Sequence, residues 1–238
     1  MQVVLQAPTE SAPLRRIAHP LHTVVLLVGE GALVVRSAMH AEQMRSAVNL
    51  NRVHMYERTM LTEWLGFAFV LLGVWLAGSD FTTVLGERWR SARAVLRDIG
   101  LGVAFSIAST MVLSMLQSHG DGGGDRAVQF LLPHGGFEMT LWVALSITAG
   151  ICEETLYRGY LQRQFAALTK NIPAGIVISG AAFGLAHSYQ GWRMAVVIGL
   201  EGMMLGAMAQ WRKSVRPGMV AHAFKDAVAP MLMSMMKH

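Results

Sequence analysis

The chain has 238 residues, of which 53% are hydrophobic and 15% are charged, and its mean hydropathy is +0.40; this balance excludes an ordinary soluble domain and indicates a membrane protein. The net charge of +5 comes from basic residues scattered between apolar runs, which excludes the clustered basic face of a nucleic-acid-binding protein. Cys152 is the single cysteine of the sequence, so an internal disulfide and a cysteine-based zinc site are also excluded.

Seven apolar runs approach the length of roughly 20 residues that a helix needs to cross a bilayer. They predict an all-α fold, a polytopic transmembrane helical bundle of about seven spans, with six to eight as the range. Pro20, Pro173 and Pro217 open three of these runs, where proline is tolerated because the first N–H of a helix has no partner. The predicted spans are 20–36, 60–78, 99–117, 139 to about 157, 173–187, 194–210 and 217–236.

The organisation predicted from these runs is one membrane domain. Residues 1–19 are expected to form a cytoplasmic N-terminal segment, 20–136 the N-terminal transmembrane helices and loops, and 137–238 a C-terminal helical core. Seven spans place most lysines and arginines on the side of the N-terminus, among them Arg15 and Arg163. The positive-inside rule then predicts a multi-pass protein of the cell membrane with its N-terminus in the cytoplasm.

The stretch "TAGICEETLYRGYLQ" (148–162) places three charges at the end of an apolar run. On a helix, Glu154 and Arg158 share one face, whereas Glu153 points about 100° away from Glu154. Arg158 can therefore neutralise Glu154 and leaves Glu153 without a counter-charge. A structural ion pair at a helix end is the plain alternative. The unbalanced second carboxylate favours a functional site, because ionisable groups within membranes face the bundle interior or a wet cavity.

Two histidines occur in later apolar runs, each in an i, i+4 pair. "FGLAH" sets Phe183 over His187, and "HAFKD" sets His222 over Asp226. A carboxylate and a histidine that face one water can share its deprotonation, and a second histidine can donate a hydrogen bond to a developing oxyanion. This combination predicts peptide hydrolysis without a nucleophilic serine or cysteine.

The three motifs E-E-x-x-x-R, F-x-x-x-H and H-x-x-x-D/N, in this order on successive apolar helices, resemble the CPBP family. This family contains the type II CAAX prenyl endopeptidases and the bacteriocin-processing or immunity-related (Abi) proteins. The resemblance covers residues 139–236, and it implies a glutamate-type intramembrane protease. Its substrate would be a membrane-embedded peptide or protein delivered by the lipid bilayer, with lipidated CAAX-like chains as one option.

The resemblance also implies roles for the six motif residues, which are Glu153, Glu154, Arg158, His187, His222 and Asp226. Glu153 and His187 would activate water, His222 and Asp226 would form the oxyanion pocket, and Glu154 with Arg158 would organise the site. The prenyl endopeptidases carry Asn at the last position. A carboxylate donates a hydrogen bond only when protonated, so Asp226 is expected to orient His222 while His222 donates.

Cofactor dependence and function class each leave an alternative open. The expectation is no cofactor; the alternative is a divalent metal such as zinc, held by Glu153, His187 and His222 with an open fourth position. The alternative function is a non-catalytic membrane scaffold or a bacteriocin-immunity-type protein, and a proton-coupled transporter is a third class. Glu30 and Glu201, two further carboxylates within apolar runs, are interpreted as structural.

A simple drawing of the helices raises one difficulty. His187 lies about 21 Å along its helix and His222 about 8 Å along its own, at a rise of about 1.5 Å per residue, and both helices start on the same side. The two imidazoles then do not meet. A tilted helix, a re-entrant turn, or a fourth helix that continues to about Phe165 would each bring them together.

Overall fold

A computed structural model of the protein describes residues 14–46, 51–117 and 129–235. Its long helices are α1 (Pro20–Ser46), α2 (Arg52–Leu76), α3 (Ala92–Gln117), α4 (Gly135–Glu153, continued through Glu154–Leu161 and Gln162–Thr169), α5 (Ile172–Ala186), α6 (Trp192–Arg212) and α7 (Arg216–Met235). Strands are absent from the described ranges, and the predicted all-α helical bundle is confirmed. Residues 1–13 of the predicted N-terminal segment and position 236, the end of the predicted last span, lie outside the described residues.

Five helices of the described chain are long and apolar enough to cross a bilayer. They are Pro20–His40, Arg52–Leu76, Ala92–Met115, Gly135–Thr169 and Trp192–Arg212, whereas Ile172–Ala186 is a shorter apolar helix. Their outer faces are apolar: Leu61 and Leu65 on α2, for example, each expose 62% of their surface. Exposed apolar surface on this scale suits contact with lipid rather than with water.

Local sequence signals account for several helix ends. α1 begins at Pro20 as predicted, and the Asn51 and Asn171 side chains cap α2 and α5 by accepting from the backbone N–H three residues later. Lys170 and Lys213 end α4 and α6 in the left-handed conformation. The predicted spans of the first three helices are too short, because α1 continues beyond its apolar run to Ser46, and α2 and α3 begin before theirs, at Arg52 and Ala92. The predicted end of α3 at residue 117 agrees with the structure.

α4 is the central helix, and the prediction that it ends near residue 157 is wrong. It runs over 35 residues to Thr169 and packs against α2, α5 and α7. Its middle, Glu154–Leu161, is a π-helix in which every residue is buried. The polar residues after position 157 do not mark a helix end, because they are buried with partners: Gln164, for example, binds the backbone of Ile17 and Ala18 ahead of α1.

α5 and α6 form the closest helix pair, as the glycines of "GAAFG" and "GMMLG" predict. A Cβ added to Gly180 would lie 2.9 Å from the backbone nitrogen of Met203, and one added to Gly184 would lie 2.9 Å from the Cα of Gly199. Side chains larger than hydrogen would separate the helices at these points. The close contact fixes α5, which carries one of the predicted site histidines, against the rest of the bundle.

Candidate active site

The π-helical segment of α4 holds a fully buried ion pair. Arg158 Nη1 donates to Glu154 Oε1 at 2.8 Å, and the two side chains are 1% and 0% exposed. Arg158 Nε also donates to the carbonyl of Gly202 on α6 at 3.4 Å. The Ser179 hydroxyl of α5 donates to the carbonyl of Tyr157 at 2.6 Å. π-Helical turns are rare and occur frequently at functional sites, and this one is tied to the neighbouring helices on two sides.

His222 of α7 lies among three carboxylates. Its Nδ1 is 3.3 Å from Glu154 Oε1, its Nε2 is 3.4 Å from Asp226 Oδ2, and the same Nε2 is 3.7 Å from Glu153 Oε2. A carboxylate only accepts hydrogen bonds, so Nδ1 carries the proton that faces Glu154. Glu154 therefore links Arg158 to His222, and the negative charge around the ring favours a second proton on Nε2.

Glu153 differs from Glu154 in having no such anchor. Its Oε2 atom is buried, and the residues the structure describes offer it no hydrogen-bond partner. The two adjacent carboxylates have different surroundings: Glu154 pairs with Arg158, and Glu153 faces His222 without a direct hydrogen bond. Their roles stay a prediction. Burial of a carboxylate oxygen without a hydrogen-bond partner costs free energy. Such a cost is expected where the group binds a reacting molecule.

Phe183 joins the two histidines. Its buried ring lies 4.7 Å from the ring of His187 and 5.8 Å from the ring of His222, and the guanidinium carbon of Arg158 lies 4.1 Å from its centroid. The His187 Nδ1 atom donates to the Phe183 carbonyl at 2.9 Å. Because a carbonyl cannot donate, this bond places the proton on Nδ1 and leaves Nε2 of neutral His187 as an acceptor.

The structure thus brings all six predicted residues to one region, with His187 linked to the others through Phe183 rather than by a direct hydrogen bond. The simple drawing that separated His187 from His222 is wrong. The alternative of a three-ligand metal site finds no support in the geometry: in the described part of the chain, no group of three or more His, Cys, Asp or Glu residues is arranged to hold a metal ion. No step is assigned to a metal.

Comparison with known families gives an independent assignment. Residues 135–228 match the family model described as Type II CAAX prenyl endopeptidase Rce1-like. This segment is therefore similar to the CAAX-protease-like (CPBP) family over residues 135–228. No curated protein and no solved structure matches the chain. The matched segment contains the six site residues and ends two residues after Asp226, whereas α1, α2 and α3 lie outside it.

Glu63, a carboxylate near this CAAX-protease-like segment, is not among the predicted site residues. Glu63 lies on the face of α2 that carries the buried residues Tyr56 and Val70, each seven positions away, and its Oε2 is buried without a partner in the described chain. α2 packs against α4, the helix that carries Glu153. The signal was available: Glu63 is the single carboxylate in the apolar run "MLTEWLGFAFVLLGVWLAG".

Two tyrosines lie beside the candidate site. The Tyr157 hydroxyl, which the sequence analysis left without a role, donates to Glu30 Oε2 of α1 at 3.4 Å. Burial raises the pKa of Tyr189, in the turn between α5 and α6, to about 12, and the charges of Glu153 and Asp226 act in the same direction. Tyr189 therefore remains a neutral hydrogen-bonding phenol beside His187, at a ring distance of 6.1 Å.

Glu201, interpreted as structural, lies in a separate polar contact. It pairs with Lys225 of α7 and accepts a hydrogen bond from the Ser109 hydroxyl of α3 at 3.4 Å. The pair joins three helices, and Lys225 is adjacent to Asp226 in the chain. The contact supplies a counter-charge for Lys225, which lies within the predicted span 217–236.

Proposed function

We propose that this protein is an intramembrane endopeptidase in which Glu153 activates the attacking water. The observation that carries the proposal is a contrast within one cluster: Glu154 Oε1 is held by Arg158 and His222, whereas the Glu153 carboxylate forms no hydrogen bond within the described residues and its Oε2 lies 3.7 Å from the same histidine. The second oxygen of Glu154, Oε2, is likewise without a partner among these residues. A carboxylate base needs this freedom to accept a proton from water. The match of residues 135–228 to the CAAX endopeptidase family supports the same reaction class.

In the proposed reaction, a water oxygen attacks the carbonyl carbon of the scissile peptide and its proton passes to Glu153. The Nε2 atom of His187 accepts a second hydrogen bond from the water and orients it, since its Nδ1–H is already used by the Phe183 carbonyl. Glu153 then delivers the proton to the departing amine nitrogen, so the carboxylate is regenerated when the C–N bond breaks. Neither a covalent intermediate nor a thiol takes part.

The negative charge that forms on the carbonyl oxygen requires a donor, and His222 is assigned this role. Its Nδ1–H is fixed by Glu154, and an imidazolium Nε2–H is favoured by the nearby carboxylates of Glu153 and Asp226. Donors that are oriented before the reaction stabilise an oxyanion most effectively. Asp226 orients His222 rather than donating itself, which suits an aspartate where the prenyl endopeptidases carry asparagine.

The proposed substrate is a peptide or protein that reaches the site from the lipid bilayer, with lipidated, CAAX-like chains as one candidate class. The proposed location is the cell membrane, with several crossings and a cytoplasmic N-terminus. The apolar outer faces of the helices support a membrane-delivered substrate, as does the place of the charged cluster in α4, a helix long and apolar enough to cross a bilayer.

The test is cleavage of a quenched membrane-peptide library by the purified full-length protein in detergent, with and without a strong chelator. We expect cleavage by the wild type that persists with chelator and is lost in Glu153→Ala. Loss with chelator that zinc restores would instead support metal ligation by Glu153, His187 and His222. Absence of cleavage, together with a Glu153→Ala protein that still functions in cells, would favour the non-catalytic scaffold.

A further inference from the structure

A second cavity lies away from the site, where the chain ahead of α1 packs on the end of α4. Its volume is about 250 Å³, and its wall includes Arg15 and Arg163. The wall is firmly built, because the Gln164 side chain accepts from the N–H of Ile17 at 2.9 Å and donates to the carbonyl of Ala18 at 3.1 Å. These bonds fasten the N-terminal segment to the last turns of α4, so the cavity belongs to the folded chain.

The charges that line this cavity are unbalanced. Among the described residues, no acidic side chain contributes to its wall. Within residues 14–46, 51–117 and 129–235, neither guanidinium forms a hydrogen bond or an ion pair, and Arg163 is half-buried. Partial burial of a cation without a counter-charge is unfavourable, and two cations on one cavity repel each other. An anion between them would remove both costs.

Three other arginines near helix ends have acceptors for their guanidinium groups. Arg97 and Arg212 both contact Asp98, at 3.1 and 3.4 Å, and Arg216 donates to the carbonyl of Gly86 at 3.3 Å. Within the described part of the chain, these arginines have acceptors and Arg163 has none.

We propose that this cavity binds a phosphate-bearing anion through Arg15 and Arg163. Guanidinium groups bind phosphate oxygens in bidentate fashion, and basic pockets between transmembrane helices bind anionic lipid headgroups. The cavity lies at the end of the membrane-length helix Gly135–Thr169, and apolar side chains such as Leu14 and Ile172 complete its wall. These features fit a phospholipid headgroup with the start of its chains, and the same phosphate chemistry is available from soluble phosphate.

The test is native mass spectrometry of the full-length protein in a charge-neutral detergent, titrated separately with phosphatidylglycerol, phosphatidylcholine and inorganic phosphate. We expect one retained phosphatidylglycerol and no comparable retention of phosphatidylcholine. The dissociation constant should rise at least about tenfold in Arg163→Gln and in Arg15→Gln. Arg93→Gln, which removes an exposed arginine of α3 outside the cavity, is the charge-matched control and should change it less than about twofold.

The two sources give different results. Retention of phosphatidylglycerol that millimolar phosphate does not displace assigns a lipid headgroup, whereas binding of inorganic phosphate that needs both arginines assigns a soluble ligand. Equal binding by wild type and both cavity variants, equal losses in Arg93→Gln, or no binding of either probe would overturn the proposal. Arg15 is exposed, so Arg15→Gln remains informative if Arg163→Gln does not fold.

Discussion

Replacing Arg158 by methionine tests the buried ion pair of α4. The side chains of Arg158 and Glu154 are 1% and 0% exposed, so the variant would leave a carboxylate inside the bundle without its strongest partner. Breaking a buried pair in this way costs about 3–5 kcal/mol. The lower part of that range is expected here, because His222 Nδ1 remains 3.3 Å from Glu154 Oε1 and supplies a second contact.

The measurement is the free energy of unfolding in mixed micelles, by denaturing-detergent titration followed through tryptophan fluorescence. Arg90→Met is the matched control, because Arg90 and Glu87 form a pair at 3.5 Å with side chains that are 85% and 83% exposed, and exposed pairs contribute little. Adding Glu154→Gln to Arg158→Met should recover part of the loss, since the uncompensated charge is then removed. A loss in Arg158→Met as small as that of Arg90→Met would refute the reasoning.

Two further predictions concern groups around the site. Gly218→Ala would place a Cβ 2.7 Å from Glu154 Oε2, and the resulting displacement should lower the free energy of unfolding by about 1–3 kcal/mol; Gly100→Ala, where an added Cβ meets nothing within 4 Å, should show no such loss. Glu63→Gln replaces a buried carboxyl group whose Oε2 has no hydrogen-bond partner among the described residues, so the same measurement should show a gain of about 1 kcal/mol. The exposed Glu57 of α2 provides the control Glu57→Gln, and a loss of stability in Glu63→Gln would contradict the interpretation.

The local geometry of the site could be predicted from the sequence because it lies within single helices. The pairs Glu154–Arg158 and His222–Asp226 are each four residues apart, and helical spacing alone brings their side chains together. The contact between Glu154 and His222 could not be predicted in this way, because it joins α4 to α7 and depends on how the helices pack. Glu63 stands out in the sequence as the single carboxylate of its apolar run, but its helix packs against α4 only in the folded chain.

The length of α4 explains why the simple helix arrangement kept His187 and His222 apart. α4 has 35 residues in place of the predicted 19, which makes it about 52 Å long against a hydrocarbon core of about 30 Å. α5 therefore starts farther along the axis of α4 than it would if α4 had only 19 residues. α5 itself has only 15 residues, so His187 at its end lies at the level of Phe183 and His222. Composition gave no sign of this length, because the buried polar residues of α4 resemble those of a loop.

The most direct test of the central claim is the rate constant for peptide cleavage by Glu153→Gln, measured against Glu57→Gln with the same membrane peptide and detergent. Glutamine keeps the size of the side chain but cannot take a proton from water, and loss of a general base lowers rates by about 10²–10⁴. The account predicts a fall of that size in Glu153→Gln with unchanged thermal stability, and a wild-type rate in Glu57→Gln. Cleavage by Glu153→Gln at the wild-type rate would contradict it.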